Sequence, residues 1–190
     1  MKRTIIIILI TFIPAIAASQ KSNIGIGVNL MFPDIKIGLD FFGTNLFGET
    51  GLYVSAGMNP SGFSDPSEKD DFYANISQVQ AEEQYGDDQL RTRDVNRLIN
   101  AGVILNVNEC LHPYAGLGIS IENAYGEYYD PSHILSNDGK YWIELDSRTS
   151  FNVNGGMYFF LNPDEPRSVF LNLGINTTPT SFIFGVGYRL

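Results

Sequence analysis

Apolar residues recur at every second position in eight separate stretches of this chain. Each stretch is close to the roughly nine to eleven residues that a tilted strand needs to cross a bilayer. The first sets Ile24, Ile26, Val28 and Leu30 against Gly25, Gly27 and Asn29, and the second sets Ile35, Ile37, Leu39 and Phe41 against Lys36, Gly38 and Asp40. The same alternation runs through 52–58, 99–107, 115–122, 151–159 and 169–175, and again through the terminal S-F-I-F-G-V-G-Y-R-L, where Phe182, Phe184, Val186, Tyr188 and Leu190 share one face. A period of two predicts strands, and their spacing predicts an all-β fold: an eight-stranded antiparallel up-and-down transmembrane β-barrel.

Proline and connection length give the topology. Proline cannot donate to a β ladder, and Pro33, Pro60, Pro66, Pro113, Pro131, Pro163, Pro166 and Pro179 all fall between the proposed strands. The connection 43–50 has glycine and asparagine turn residues instead. The long connections, Asn59 to Asp94 and Gly126 to Ser147, join strands three to four and five to six, so both lie at one end of the sheet. That end also carries two tight turns, around Pro33 and Pro179, and the opposite end carries only short connections. Within the first long loop, Ile76 to Gln84 suits a turn or two of helix.

The composition of the two faces decides what surrounds the sheet. No Asp, Glu, Lys or Arg occurs on the apolar face of any of the eight runs. The opposite face is mostly Gly, Asn and Ser, with glycine at 25, 27, 38, 57, 102, 116, 118, 156, 174, 185 and 187. Such residues suit the cramped inside of a narrow barrel and suit a washed exterior poorly. Lys36, Asp40, Glu122 and Arg189 fall in this inward register and are expected to pair inside the barrel, with a solvated rim as the other reading for Asp40 and Arg189. Aromatic residues near strand ends (Phe41, Phe42, Tyr114, Tyr125, Tyr141, Trp142, Phe159, Phe160 and Tyr188) suit interfacial girdles or ordinary core packing equally well.

Composition sharpens this picture. Of 190 residues only 17% are charged, a low share for a soluble protein, and 13% are aromatic. The start, with Lys2 and Arg3, an apolar run from Ile5 to Ile13, and small residues at Ala15 and Ala17, has the layout of a secretory signal peptide. Residues 1–19 are therefore read as a leader, cleaved between Ala17 and Gln20, and 20–190 as the barrel. The formal charge is −9, and removing Lys2 and Arg3 makes the chain more acidic still, which argues against nucleic acid as a partner. The single cysteine, Cys110, permits no internal disulfide.

Signal peptide, eight amphipathic strands and an alternating terminal strand together resemble the small outer-membrane β-barrels, such as the membrane domain of outer-membrane protein A and outer-membrane protein W. The glycine-rich style is similar to the porin-like outer-membrane β-barrel families of Bacteroidetes-type bacteria. The resemblance implies the outer membrane of a Gram-negative bacterium, a lipid-embedded monomer, and a last strand read by the barrel-assembly machinery. That signal maps onto Phe184, Gly185, Val186, Tyr188 and Leu190, with Leu190 standing where many relatives end in Phe. The chain would then stop within a strand because that strand closes the barrel against the first.

Candidate chemistry is sparse. His112 lies beside Pro113 in a short connection, and His133 lies in the second long loop among Asp130, Ser132, Ser136 and Asp138. The resemblance admits a lipid A-modifying enzyme that uses His and Ser at its rim, but loop neighbours are not a triad without fixed geometry. The first long loop holds Asp65, Glu68, Asp70, Asp71, Glu82, Glu83, Asp87, Asp88 and Asp94 against Lys69, Arg91 and Arg93. It lacks the spacing of a calcium loop and reads as solvated and mobile. No cofactor fingerprint or metal motif is present in the sequence, and no catalysis is expected. The expected role is structural or surface-interacting, with a surface ligand at loops 59–94 and 126–147. A small porin-like channel is the alternative, and a soluble lipocalin-like carrier comes last.

Overall fold

In a computed structural model, which describes residues 23–190 apart from 86 and 166, eight antiparallel strands follow one another round a closed barrel in chain order. They are β1 (Asn23–Phe32), β2 (Lys36–Phe47), β3 (Thr50–Met58), β4 (Asp88–Leu105), β5 (Leu111–Tyr129), β6 (Lys140–Phe160), β7 (Val169–Thr177) and β8 (Thr180–Arg189). The expected leader and its cleavage point lie outside the described residues, as does Pro166. Residue contacts divide the chain into two units, and β4, β5 and β6 contribute to both. The first runs up to Gly57 and includes Ile99–Gly118 and Phe151–Leu190, and the second holds Met58–Leu98 and Ile119–Ser150.

The outward face of the first unit is apolar from strand to strand because the registers line its side chains up. Leu39 pairs with Val28, Val28 with Val186, Val186 with Leu171 and Leu171 with Phe159. A parallel row runs Ile37, Leu30, Phe184, Leu173 and Met157. Ile26, Val28, Leu30, Leu39, Leu117, Leu171, Phe184 and Val186 are all exposed, Val186 at 53%. Water-soluble monomers rarely show a contiguous apolar patch above a few hundred Å². A closed sheet with oil on its outside leaves no unpaired backbone edge, as a bilayer requires. The transmembrane barrel class expected from the alternation is the one observed.

The inside of this unit is filled. Phe42, Tyr53, Ile104, Tyr114, Tyr158, Phe160 and Phe170 form one buried cluster toward the end where β2 turns into β3, β4 into β5 and β6 into β7. Ring centroids are 4.7 Å apart for Phe42–Tyr158, 4.8 Å for Tyr114–Tyr158 and 4.9 Å for Phe42–Phe170. The inward glycines provide the seats. Gly27 and Gly187 face each other across β1 and β8, and a Cβ on Gly187 would stand 2.2 Å from Cζ of Phe170. A Cβ on Gly25 would stand 2.2 Å from Cζ of Phe42. The volume released by glycine is therefore occupied by rings and does not form an open lumen.

Next to the rings lies a polar layer of amides. Asn172 donates to Asp40 Oδ2 at 2.7 Å and to Asn29 Oδ1 at 3.3 Å, while Tyr114 and Tyr53 donate to Asn172 and Asn154. Toward the opposite end, Asn152 donates to Asn100 at 2.7 Å and to Asn176 at 3.0 Å, and Asn176 to Ser181. Buried polar groups cost free energy unless bonded, and these amides satisfy one another except at Asn154 Nδ2, which has no partner among the described residues.

Two of the inward charges, Asp40 and Lys36, do not form the ion pairs expected of them among the described residues. Asp40 is buried and takes amide and phenol partners, Asn172 and Tyr158, in place of a cation. Lys36 is fully buried, and its Nζ has no hydrogen-bond partner among the described residues. Arg189 is buried near the end of β8, where it donates to the carbonyls of Pro163 and Glu165 and stacks on Phe160, 4.9 Å from the ring centroid. Glu122 is half-buried and belongs to the second unit. Lys36 and Asp40 lie four residues apart on β2, about 13 Å at 3.3 Å per residue, too far for direct contact.

Other expectations need correction. His112 and Pro113 lie inside β5 near its start and not in a connection. There His112 Nδ1 is 2.7 Å from Asn106 Oδ1. Proline is tolerated there because the strand has barely begun. Ile35 and Val107 fall just outside their strands. Of the nine aromatics weighed for girdles, Phe42, Tyr114, Tyr125, Tyr141, Trp142 and Phe160 are buried, whereas Phe41 and Tyr188 face outward.

Candidate functional site

The second unit is built from the far portions of β4, β5 and β6 together with the connection 59–87. Most of what the sequence presents as the loop 126–147 is strand, since β5 continues to Tyr129 and β6 begins at Lys140. The reason lies in burial. Tyr125, Gly126, Glu127 and Tyr128 are buried in succession, as are Tyr141, Trp142 and Ile143. A strand covered on both faces shows no alternation, so the period-two signal vanishes where the structure does not.

The connection 59–87 covers those faces and is far from a solvated tether. Val95, Tyr125 and Trp142 pack on one another with Phe72 against them, and Ala81, Tyr128, Tyr141 and Ile143 form a second cluster with Tyr73, Ile76, Leu135 and Leu145. Phe72 makes a parallel bridge to Trp142, in which the Tyr73 N–H donates to the Trp142 carbonyl and the Trp142 N–H to the Asp71 carbonyl, each at 2.9 Å. An exposed strand edge invites foreign pairing, and this bridge covers one.

Short capped turns hold the connection in place. Asn59 caps Pro60–Ser64 by accepting from the Gly62 N–H, and it also donates to the Asp94 carbonyl at 2.8 Å. Asp65 caps Pro66–Glu68, accepting from the Ser67 N–H at 2.9 Å and from Arg97. Those hydrogen bonds and the Arg97 charge outweigh burial and hold its carboxyl below the usual range. The turn or two of helix expected within Ile76 to Gln84 is present, with Gln80–Gln84 as a π-helix.

The acids disperse to separate partners. Tyr141 donates to Asp87 Oδ2 at 2.6 Å and Tyr128 to Glu82 Oε1 at 2.9 Å. Burial, and then the carboxylate that each accompanies, push the Tyr128 phenol up to about 12 and raise that of Tyr141 further. Among the described residues no group of three metal-ligating side chains comes together.

His133 sits at positive φ in the β5–β6 connection and contacts the Asn137 carbonyl at 3.3 Å. Asp130 spends both oxygens on the backbone N–H groups of Ser132, Ile134 and Leu135, and Ser136 donates to Asp138. Histidine, serine and carboxylate are thus neighbours with separate partners, and the relay that nucleophilic catalysis needs is not assembled here.

Asp130 nevertheless orders this connection. Its carboxyl lies below the usual carboxylate range, chiefly because the Leu135 N–H stabilises the charged form. A lowered folded value contributes order that is fully present above about pH 4, the ordinary carboxylate value, and lost as pH falls through the folded one. Pepsin cleavage within 130–139 is expected to accelerate on acidification below that range. Asp130→Asn, which sets an NH₂ among the donors, is expected to raise cleavage several-fold at neutral pH with proteinase K. Unchanged digestion of both would deny Asp130 this part.

A feature with no forewarning in strand periodicity surrounds Trp142, the one tryptophan of the chain. Lys69 Nζ lies 5.1 Å from its ring centroid, and the guanidinium carbons of Arg91 and Arg93 lie at 5.3 Å each. Arg91 is also bidentate to Glu127, at 2.7 and 3.0 Å. The sequence signal was there in Arg91 and Arg93, two residues apart on a strand and hence on one face.

No family model and no curated relative matches the sequence. Solved structures do. The attachment invasion locus protein Ail of Yersinia pestis aligns with a TM-score of 0.50 at 14% identity, over 89% of this chain and 97% of that one. A major outer membrane protein from Thermus thermophilus aligns at 0.46 and 13%, over 89% and 98%. Neisserial surface protein A aligns at 0.39 and 11%, over 89% and 94%. At 14% identity the likeness to Ail concerns the fold alone, and the closed ring of eight antiparallel strands is the fold of the small outer-membrane β-barrels.

Proposed function

We propose that the protein is a monomeric outer-membrane barrel of a Gram-negative bacterium, without catalysis, that offers its second unit at the cell surface as a structural or ligand-contacting platform. The observation that carries this reading is the contrast between the two units. The first is oil-facing outside and packed with rings and amides inside. The second builds two further cores, capped turns and an exposed loop tip, with Ile134 82% exposed. Investment of so much ordered chain in the second unit fits contact with other molecules. A conducting pore fits poorly, since rings 4.7–4.9 Å apart fill the barrel. In this reading the apolar row of β8, with Gly185 among Phe184, Val186, Tyr188 and Leu190, serves assembly as well as lipid contact.

Topology makes a direct test. Cys110, the sole and exposed cysteine, lies in the β4–β5 connection, whereas Ile134 lies in the β5–β6 connection at the other end of β5. A membrane-impermeant maleimide applied to intact cells is expected to leave the native chain unlabelled and to label Ile134→Cys in a Cys110→Ser background. Labelling of Cys110 in intact cells would reverse the orientation and remove the platform from the surface. Steady unitary currents from purified protein in a planar bilayer would favour the channel.

A further inference from the structure

We propose that Lys69, Arg91 and Arg93 form a binding site for a phosphate group, built around the ring of Trp142. Three cations converge within 5.3 Å of one ring centroid. Such stacking is ordinary for one cation, but three must repel one another, and the ring quadrupole offsets only part of that.

Donors outnumber acceptors at this spot. Glu127 occupies the Nε and Nη2 groups of Arg91. Arg93 uses Nη1 on the Ser64 carbonyl, at 2.8 Å, and on its hydroxyl. No protein acceptor engages the Lys69 ammonium among the described residues, and the buried indole N–H of Trp142 has none either. Of the nearby acids, Asp70 and Asp71 line a cavity of about 540 Å³ with His133, and Asp94 alternates to the strand face opposite Arg93. The result is a local excess of positive charge on a chain whose net charge is −9.

The site is held in shape and left open. Arg91 and Arg93 stand on β4, and Lys69 follows the capped turn Pro66–Glu68, its N–H bonded to the Pro66 carbonyl. Lys69 and Arg91 are exposed, and Arg93 is half-buried. A tetrahedral oxyanion presents several acceptors at once. It can take the free guanidinium edges and the ammonium together, where a single carboxylate already bound to Arg91 cannot. The phosphate can be carried by a lipid headgroup or be free in solution, and the chemistry of the site is the same for both.

The inference deepens the surface-platform reading and rests on it only for which phosphate the protein meets. Because Trp142 is the only tryptophan, its emission reports this site alone. In folded protein held in micelles of an uncharged, phosphate-free maltoside detergent, inorganic phosphate is expected to change that emission saturably at constant ionic strength, with chloride inert. A second arm replaces added phosphate with micelles containing phosphatidic acid. A response to inorganic phosphate identifies a free ligand, and a response only to phosphatidic acid identifies a lipid headgroup. Lys69→Gln with Arg93→Gln is expected to weaken either response about tenfold or more. The heat-dependent gel shift of the barrel confirms that the variant is folded. No response in either arm, or an undiminished response in the folded double variant, overturns the proposal. Neither arm depends on which end of the barrel faces outward, so failure here is separable from failure of the labelling experiment.

Discussion

Phe170→Ala should lower the unfolding free energy of the barrel by about 3–5 kcal/mol, the range for emptying a buried Phe site. Phe170 is fully buried and holds three rings together, with centroid distances of 4.9 Å to Phe42, 5.4 Å to Tyr158 and 5.8 Å to Phe160. Its seat consists of Gly27 and Gly187, so on that side of the void there is no side chain to collapse into it. Urea titration of the protein in lipid vesicles, read by the gel shift between folded and unfolded forms, measures the loss. The reverse change tests the same seat: Gly187→Val would drive a Cβ to 2.2 Å from Phe170 and 2.3 Å from the Ile26 carbonyl, where backbone cannot yield. Overpacking of that kind costs about 1–3 kcal/mol or more. If both variants match the parent, the rings do not fill the barrel, and the case against a channel falls with them.

The second large effect concerns the outside. Val186→Arg is expected to cost about 2–4 kcal/mol, the range for a cation facing lipid near the midplane. Val186 sits at the centre of the row that runs from Leu39 through Val28 to Leu171 and Phe159, with nothing polar beside it on that face. Thr180→Arg is the internal comparison. Thr180 opens β8 beside the turn at Pro179, where a cation costs about 0–1 kcal/mol. The difference between the two variants, measured by the same urea titration, isolates depth from charge. Equal costs at both positions, or a mature protein that stays dispersed without detergent, would remove the barrel from the membrane.

Much of the architecture was legible along the chain because lipid enforces a simple rule. Every side chain that touches it must be apolar, and every strand that spans it must alternate. Ile26, Leu117, Val186 and their counterparts obey this without exception, so strand number, order and outward face followed from position alone. The lumen obeys no such rule. Its residues needed only to fill a given volume and satisfy one another, and Gly187 looks the same in a sequence whether it leaves space for water or a seat for Phe170.

The second unit shows the same divide. Y-G-E-Y-Y and Y-W-I, in β5 and β6, carry no alternation because both of their faces are covered, and the cover comes from residues such as Phe72 and Ala81, far away in the chain. The grouping of Lys69, Arg91 and Arg93 on Trp142 likewise joins segments with no local relation to one another. By itself, then, the amino-acid order determined which side chains meet the hydrocarbon, since that contact is read one residue at a time. Only the tertiary structure decided what plugs the barrel, how Asp40 and Lys36 are accommodated, and where positive charge gathers, because each of those depends on groups brought together by closure of the ring and by the fold of the connection over β6.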